Sequence, residues 1–467
     1  MSTGTEQEYD VIVVGFGAAG LTAALSARRA LGETGRVLIL ERATRAERGG
    51  NTKWTGAYLR LADEYTPADG LLEDAAAFSE GHADIEYWQT LLSLLPETME
   101  WLQEMGLRFQ PKATNFLSKA RPRLLPVGGG EAIVRILGDT AERRGIQTRY
   151  RATATRLAQD ADGAVGGVVI RGYDGRETSL RARAVILASG GFEGNQRMKA
   201  QYFGRDAFKL RPIAPGGAFN KGEGICMAVA AGAKAAGQWD AFHAEPFDPR
   251  SSQPAPTNMT FPYGILVNQL GARFVDEGAQ TVDENYENVA RRIREQPSGL
   301  AYIIGDRKLR SITGIDRAIR TPLPPLEAQT LAELAGLIGV PAGSLTETVD
   351  AYNKSVVPGE FDPARADGVA TVGLYPPKSN WARSIDEPPF LAYPVACSVV
   401  FTFGGIGTDL KGRVVTEDDV VIPGLFAAGE CTGAYYGKYL GATSVLRSLV
   451  YGRVAGLTAG SSARARA

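Results

Sequence analysis

Histidine is nearly missing from this chain. Of its 467 residues only His82 and His243 are histidine, which excludes most His-rich metal sites. Cysteine is almost as scarce, and Cys226, Cys397 and Cys431 lie far apart with no CxxC pair among them. That excludes a disulfide scaffold, a structural zinc site, an iron–sulfur cluster and attached haem, and it fits a reducing, cytoplasmic setting. Net charge is −1, so no global field favours nucleic acid or anionic lipid. No apolar run suits a membrane span, because glycines at 15, 17 and 20 interrupt the opening one. The acidic "GTEQEYD" before it lacks the basic start of a secretory signal, so no targeting or transmembrane segment is expected.

What is present is ordinary globular material, 44% hydrophobic and 22% charged, in a chain long enough for more than one structural domain. "YDVIVV" reads as a buried parallel strand, and Gly15-Phe16-Gly17-Ala18-Ala19-Gly20 follows as GxGxxG. A helix-forming "AAGLTAALSARRAL" and a second strand, "RVLIL", come next, with Glu41 at the strand's end. Each part has a mechanical task. Gly15 permits the tight turn, Gly17 lets backbone approach a pyrophosphate, and Gly20 lets helix pack on strand. The helix N-terminus offers free N–H groups, and Glu41 can accept hydrogen bonds from ribose hydroxyls. Strand, glycine loop, helix, strand and acid together predict a dinucleotide site.

Further motifs narrow the choice of dinucleotide: "ERGGNTKWTGAY" at 48–58, "RARAVILASGGFEGN" at 181–195, and "IPGLFAAGECTGAYYGKYLGATSVLRSLVYGRVAG" at 422–456. The last is a strand, Gly429-Glu430, a glycine-rich loop and a helix starting near Thr443. In this order the set resembles the FAD-dependent fumarate reductase/succinate dehydrogenase flavoprotein superfamily, over nearly the whole chain. The resemblance implies that Gly15, Gly17, Ala18, Ala19, Gly20, Glu41 and Arg42 hold the ADP half. Gly49, Gly50, Asn51 and Thr52 would lie at the pyrophosphate and flavin, Ala154 at the adenine, and Ala188, Ser189 and Gly190 beside them. Gly429 and Glu430 would meet the ribityl chain, and Ser444, Val445 and Leu446 would set a helix N-terminus near the flavin pyrimidine ring. Members with covalent flavin use a histidine early in the chain, whereas "GGNTKWTG" has none, so FAD is expected to be noncovalent.

The implied architecture is α/β: a doubly wound, Rossmann-like FAD-binding domain interrupted by an α+β capping domain. Its expected segments are 1–240, a cap at 241–375, and 376–467. Helix-rich sequence is read at 71–145, a helix pair in "LAELAGLIGVPAGSLTETVDAYNKSV", and disorder only in the terminal "SSARARA".

Three positions bear on the substrate. Where dicarboxylate reductases of the superfamily carry a proton-donating arginine, a binding histidine and a binding arginine, this chain aligns Thr281, Phe401 and Tyr439. A dianion taken out of water needs paired cations, so fumarate is a poor fit. "RFVDEGA", "FHAEPFD", "KSNWA", "PPFLAYPV" and "FTFGG" read like the tricarballylate dehydrogenase branch, and Tyr439 is similar to a tyrosine of ketosteroid Δ1-dehydrogenases. The implied reaction is desaturation next to a carbonyl, by α-proton removal and hydride transfer to flavin N5. Tyr439 and the amides of Gly441, Ala442 and Thr443 are candidates to hold the carbonyl oxygen, with Phe401 lining the pocket. Tyr286 is the candidate base or else a core aromatic of the cap; as a base it needs a cation such as Arg291, or the reduced-charge environment of the cap, to stabilise its anion. His243 is a candidate for carboxylate or carbonyl binding or a structural histidine, and Lys438 and Arg123 are possible carboxylate partners. Substrates in view are a small keto acid, a cyclic ketone or a polycarboxylate, with oxygen, a quinone or another protein as electron acceptor. The alternatives are a reductase of an activated double bond and a noncatalytic electron-transfer subunit.

Overall fold

The computed structural model describes residues 8–112 and 122–466. Its first sheet is built around Glu8–Val14, which pairs in parallel with Val37–Leu40 on one side and Glu177–Leu187 on the other. Gln147–Arg149 extends one edge, Val421–Ala427 and Arg413–Val415 the other. Every residue of Val37–Leu40 is buried, as a strand covered on both faces must be. The strands Thr153–Gln159 and Val165–Arg171 form an antiparallel meander onto Glu177–Leu187.

Two helices cover the same face. Ala18–Leu31 leaves the first strand through the glycine turn, and Ser444–Ala465 lies along it. They touch through small residues four apart: Gly452, Gly456 and Gly460 face the backbone of Ala19, Ala23 and Ala27. A Cβ at any of the three would run into that backbone, so the approach depends on glycine. This contact corrects the expectation of disorder in "SSARARA". The helix continues to Ala465, and Ala463 is fully buried, because the small-residue stripe extends to its end.

The second sheet is mainly antiparallel, in the order Phe242–Phe247, Phe390–Thr402, Leu300–Gly305, Ile265–Asn268, with Leu326–Ala328 and Arg211–Pro212 added along Phe390–Thr402. Its two faces bury separate apolar clusters. Val289 and Ile293 of the helix Val282–Arg294 belong to one. The helix pair Leu331–Ile338 and Ala342–Ser355 closes the other, started by a Thr330–Glu333 capping box. The long strand Phe390–Thr402 passes from this sheet to the glycine-rich cleft of the first. At its end the Thr402 amide donates to Glu430, 3.0 Å away. Among the described residues no helix is long and apolar enough to cross a membrane, and no cluster of three or more His, Cys, Asp or Glu could hold a metal ion.

Candidate active site

A single cavity of about 480 Å³ runs from the first sheet's carboxyl edge to the second sheet. Its inner half is walled by Gly15, Gly17, Ala18 and Ala19 from the first turn and by Glu41 and Arg42 from the second strand's end. Gly49, Gly50, Asn51, Thr52, Ala154, Ala188, Ser189 and Gly190 continue the wall, and Gly429, Glu430, Ser444 and Val445 complete it. Gly15 has φ 118°, a left-handed conformation that suits only glycine, and a Cβ there would meet the Ala188 carbonyl. Gly20 does not line the cavity; a Cβ on it would strike the Gly15 carbonyl, so it sets the closeness of helix to turn. Leu446 is buried in the core beneath the cavity.

Several polar groups in this half lack partners among the described residues: Ser189 Oγ, Asn51 Oδ1 and Nη1 of the buried Arg447. The other arm of Arg447 donates to the Thr432 carbonyl at 2.7 Å and to its hydroxyl at 2.9 Å. Glu41 is buried and raised above the usual carboxylate range by that burial, against the Ala43 amide that donates to it at 2.8 Å. Arg42 pairs with Glu223 at 2.8 Å. Two acids sit side by side under the glycines. Glu193 is fully buried and is raised well above 4.5 by burial and then by Glu430. Its Oε1 accepts from Asn51 at 2.6 Å and from Asn220 at 2.7 Å.

The outer half is aromatic. The His243 ring lies 4.4 Å from the Tyr439 ring and 5.1 Å from Phe401, measured between centroids. Its Nε2 is 2.8 Å from the Tyr286 hydroxyl, and its Nδ1 has no partner. Burial, then Arg291, pushes His243 down to about 3, so the ring is neutral. Burial also raises Tyr286 well above 10, with Glu287, Glu245 and Tyr439 adding to the rise. The cation opposing that rise is Arg123, not Arg291, whose side chain is turned to the Phe242 carbonyl at 3.0 Å. Tyr286 is thus a neutral tyrosine paired with a neutral histidine. The Tyr439 hydroxyl accepts from the amides of Thr443 and Ser444, each at 3.1 Å, and donates to Ser444 Oγ at 3.0 Å. It thus occupies the first turn of the last helix. Gly441 and Ala442 line the cavity, whereas Thr443 is buried behind Tyr435, hydroxyl to hydroxyl at 2.9 Å. Lys438 is exposed and off the cavity wall.

The comparisons with known proteins bear on this cleft. A family profile described as FAD binding domain matches residues 10–446. The chain belongs to the FAD binding domain family. It is an FAD-dependent oxidoreductase. It is 29% identical to a fumarate reductase (cytochrome) of Shewanella frigidimarina, over 98% of this chain and 78% of that protein. It is 28% identical to a 4-oxocyclohexanecarboxylate 2-dehydrogenase of Sinomonas cyclohexanicum, over 96% and 92% respectively. The solved 3-ketosteroid-Δ4-(5α)-dehydrogenase of Rhodococcus jostii RHA1 superposes with TM-score 0.71 at 27% identity, covering 98% of each chain.

The residues present fit FAD. Glycines without room for a Cβ form the turn, a helix starts at Ala18, and unpartnered donors and acceptors at Ser189, Asn51 and Arg447 would meet the polar groups of such a cofactor. Sequence reading missed Glu193, Asn220, Arg447, Glu245, Lys112 and Arg320. For Glu193 a signal existed: an acid set directly behind "ASGGF" in an apolar stretch. Arg447 likewise stands alone in the apolar run "SVLRSLV".

Proposed function

We propose that the protein is a desaturase that introduces a C=C bond α,β to the ketone of a small cyclic keto acid. The observation carrying this reading is the neutral Tyr286–His243 pair, 2.8 Å apart, beside Tyr439 in the cavity that also holds the FAD cradle. Bound noncovalently, FAD supplies the two-electron acceptor for the hydrogen β to the carbonyl.

Tyr286 takes the α-proton while its own hydroxyl proton passes to His243 Nε2, in the tautomer that carries its hydrogen on Nδ1. A lone buried imidazolium is costly, as the low ionisation point of His243 records. Here the imidazolium forms together with enolate charge, and low dielectric strengthens attraction within such a pair. The Tyr439 hydroxyl exchanges Ser444 Oγ for the carbonyl oxygen as its acceptor, with the amides of Thr443 and Ser444 holding it in place. Apolar and aromatic walls at Phe401, Tyr435 and Met259 keep water from the enolate. Turnover needs an external acceptor such as oxygen, a quinone or another protein.

The relatives named as dehydrogenases of 4-oxocyclohexanecarboxylate and of a ketosteroid support a ring ketone as substrate. The aligned Phe401 and Tyr439 weigh against fumarate. The test is formation of the enone from 4-oxocyclohexanecarboxylate with an artificial acceptor. Tyr286→Phe is expected to slow it about 10²- to 10⁴-fold while FAD stays bound. An unchanged rate would remove Tyr286 from the reaction.

A further inference from the structure

The cavity changes character between its reacting end and its mouth. At the reacting end the facing side chains are Phe401, Tyr435, Tyr439, Tyr286 and a neutral His243, a setting that cannot hold an anion cheaply. Toward the mouth, Lys112, Arg123 and Arg320, from separate stretches of chain, line the same cavity, which Arg317 also borders. Tyr58 ties two of them together. Lys112 Nζ lies 3.9 Å over its ring centre, and Arg320 donates to its hydroxyl at 2.8 Å. Arg123 Nη2 stands 3.5 Å from where a Cβ on Gly441 would lie, so it borders the Tyr439 loop.

Among the described residues the acids around them do not match their charge. Asp283 faces Arg123 at 3.8 Å. Glu245 feels the other two as opposing charges, but burial raises it above the usual carboxylate range. Lys112 is pushed down to about 8 by burial first, then by Arg123 and Arg320. Like charges held this close are a standing cost unless an anion joins them.

We propose that Lys112, Arg123 and Arg320 form a carboxylate-binding subsite at the cavity mouth, so that the substrate is a keto acid held with its carboxylate outward and its ketone against Tyr439 and Tyr286. A carboxylate there is met by charge-assisted hydrogen bonds and stays near water, so its desolvation is partial. Which end reacts rests on the desaturase reading; carboxylate binding does not.

The test separates the two. The FAD-loaded enzyme is titrated with 4-hydroxybenzoate, a flat ring that carries oxygen and carboxylate at opposite ends and cannot be desaturated. Its methyl ester is the neutral partner, and perturbation of the flavin spectrum is the readout. The acid is expected to bind about tenfold or more tightly than the ester. Lys112→Met and Arg320→Met should each remove most of that preference with the FAD spectrum intact. Affinity for the acid should fall as pH rises through about 8, where Lys112 loses its proton, and not in Lys112→Met. Equal binding of acid and ester, or a preference that survives both variants, overturns the subsite. Acid-selective binding without flavin bleaching by 4-oxocyclohexanecarboxylate upholds the subsite and overturns the desaturase reading.

Discussion

At Glu193 the chain buries a carboxyl group between two asparagine amides and a second acid. Asn51 and Asn220 donate to its Oε1, while the neighbouring Glu430 takes the Thr402 amide. Burial is the main cause of its raised ionisation, so in the folded protein Glu193 stays protonated well above 4.5. The unfolded chain releases that proton near 4.5, so this group's penalty on stability grows as pH rises from there toward its folded value. Glu193→Gln keeps the geometry, with a carbonyl for the two asparagines and an amide donor for Glu430. Thermal melts of the FAD-loaded protein should show the variant more stable than wild type near neutral pH, the gap closing toward pH 4.5. A variant less stable at every pH would mean that Glu193 is ionised in the fold. The sequence displayed Glu430, placed behind a strand and a glycine, but not its partner, since nothing in "GGFEGN" says which residues from elsewhere surround the acid.

Two helices joined by glycine and alanine flank the glycine-lined cleft. Gly452, Gly456 and Gly460 recur at the helical spacing of four, and each lets the last helix reach the backbone of the first. Gly456→Leu drives a side chain into the Ala23 backbone, an overpacking cost of about 1–3 kcal/mol. The expected result is a lower melting temperature together with FAD loss on gel filtration, because the first helix begins at the Gly15–Gly20 turn. Unchanged FAD content would show that the helix contact does not set the cleft. The first strand, turn, helix and second strand were legible because a parallel strand is a continuous apolar run and the turn is marked by glycine. The end of the last helix was not, since "SSARARA" is small and basic. Its helicity comes from packing against another helix, and packing is a tertiary fact.

Over the whole molecule, the strand Phe390–Thr402 brings the two sheets to one cavity, so residues far apart in sequence meet there. Tyr286, His243 and Tyr439 could each be singled out by resemblance, but their mutual distances and protonation could not. Neutrality of His243 and Tyr286 arises from burial by Phe401 and its neighbours on other strands. Of the cations at the mouth Arg123 was singled out, but Lys112 and Arg320 escaped notice for the opposite reason: lysines and arginines look alike in sequence whether they face solvent or a cavity. The central claim, oxidation of a saturated ring ketone at this FAD site, is tested most directly by anaerobic mixing of the FAD-loaded enzyme with 4-oxocyclohexanecarboxylate while flavin absorbance is followed. The account predicts bleaching of the flavin with one enone formed per flavin. A flavin left oxidised by the saturated acid, yet rapidly reoxidised by an unsaturated acid after chemical reduction, would contradict it.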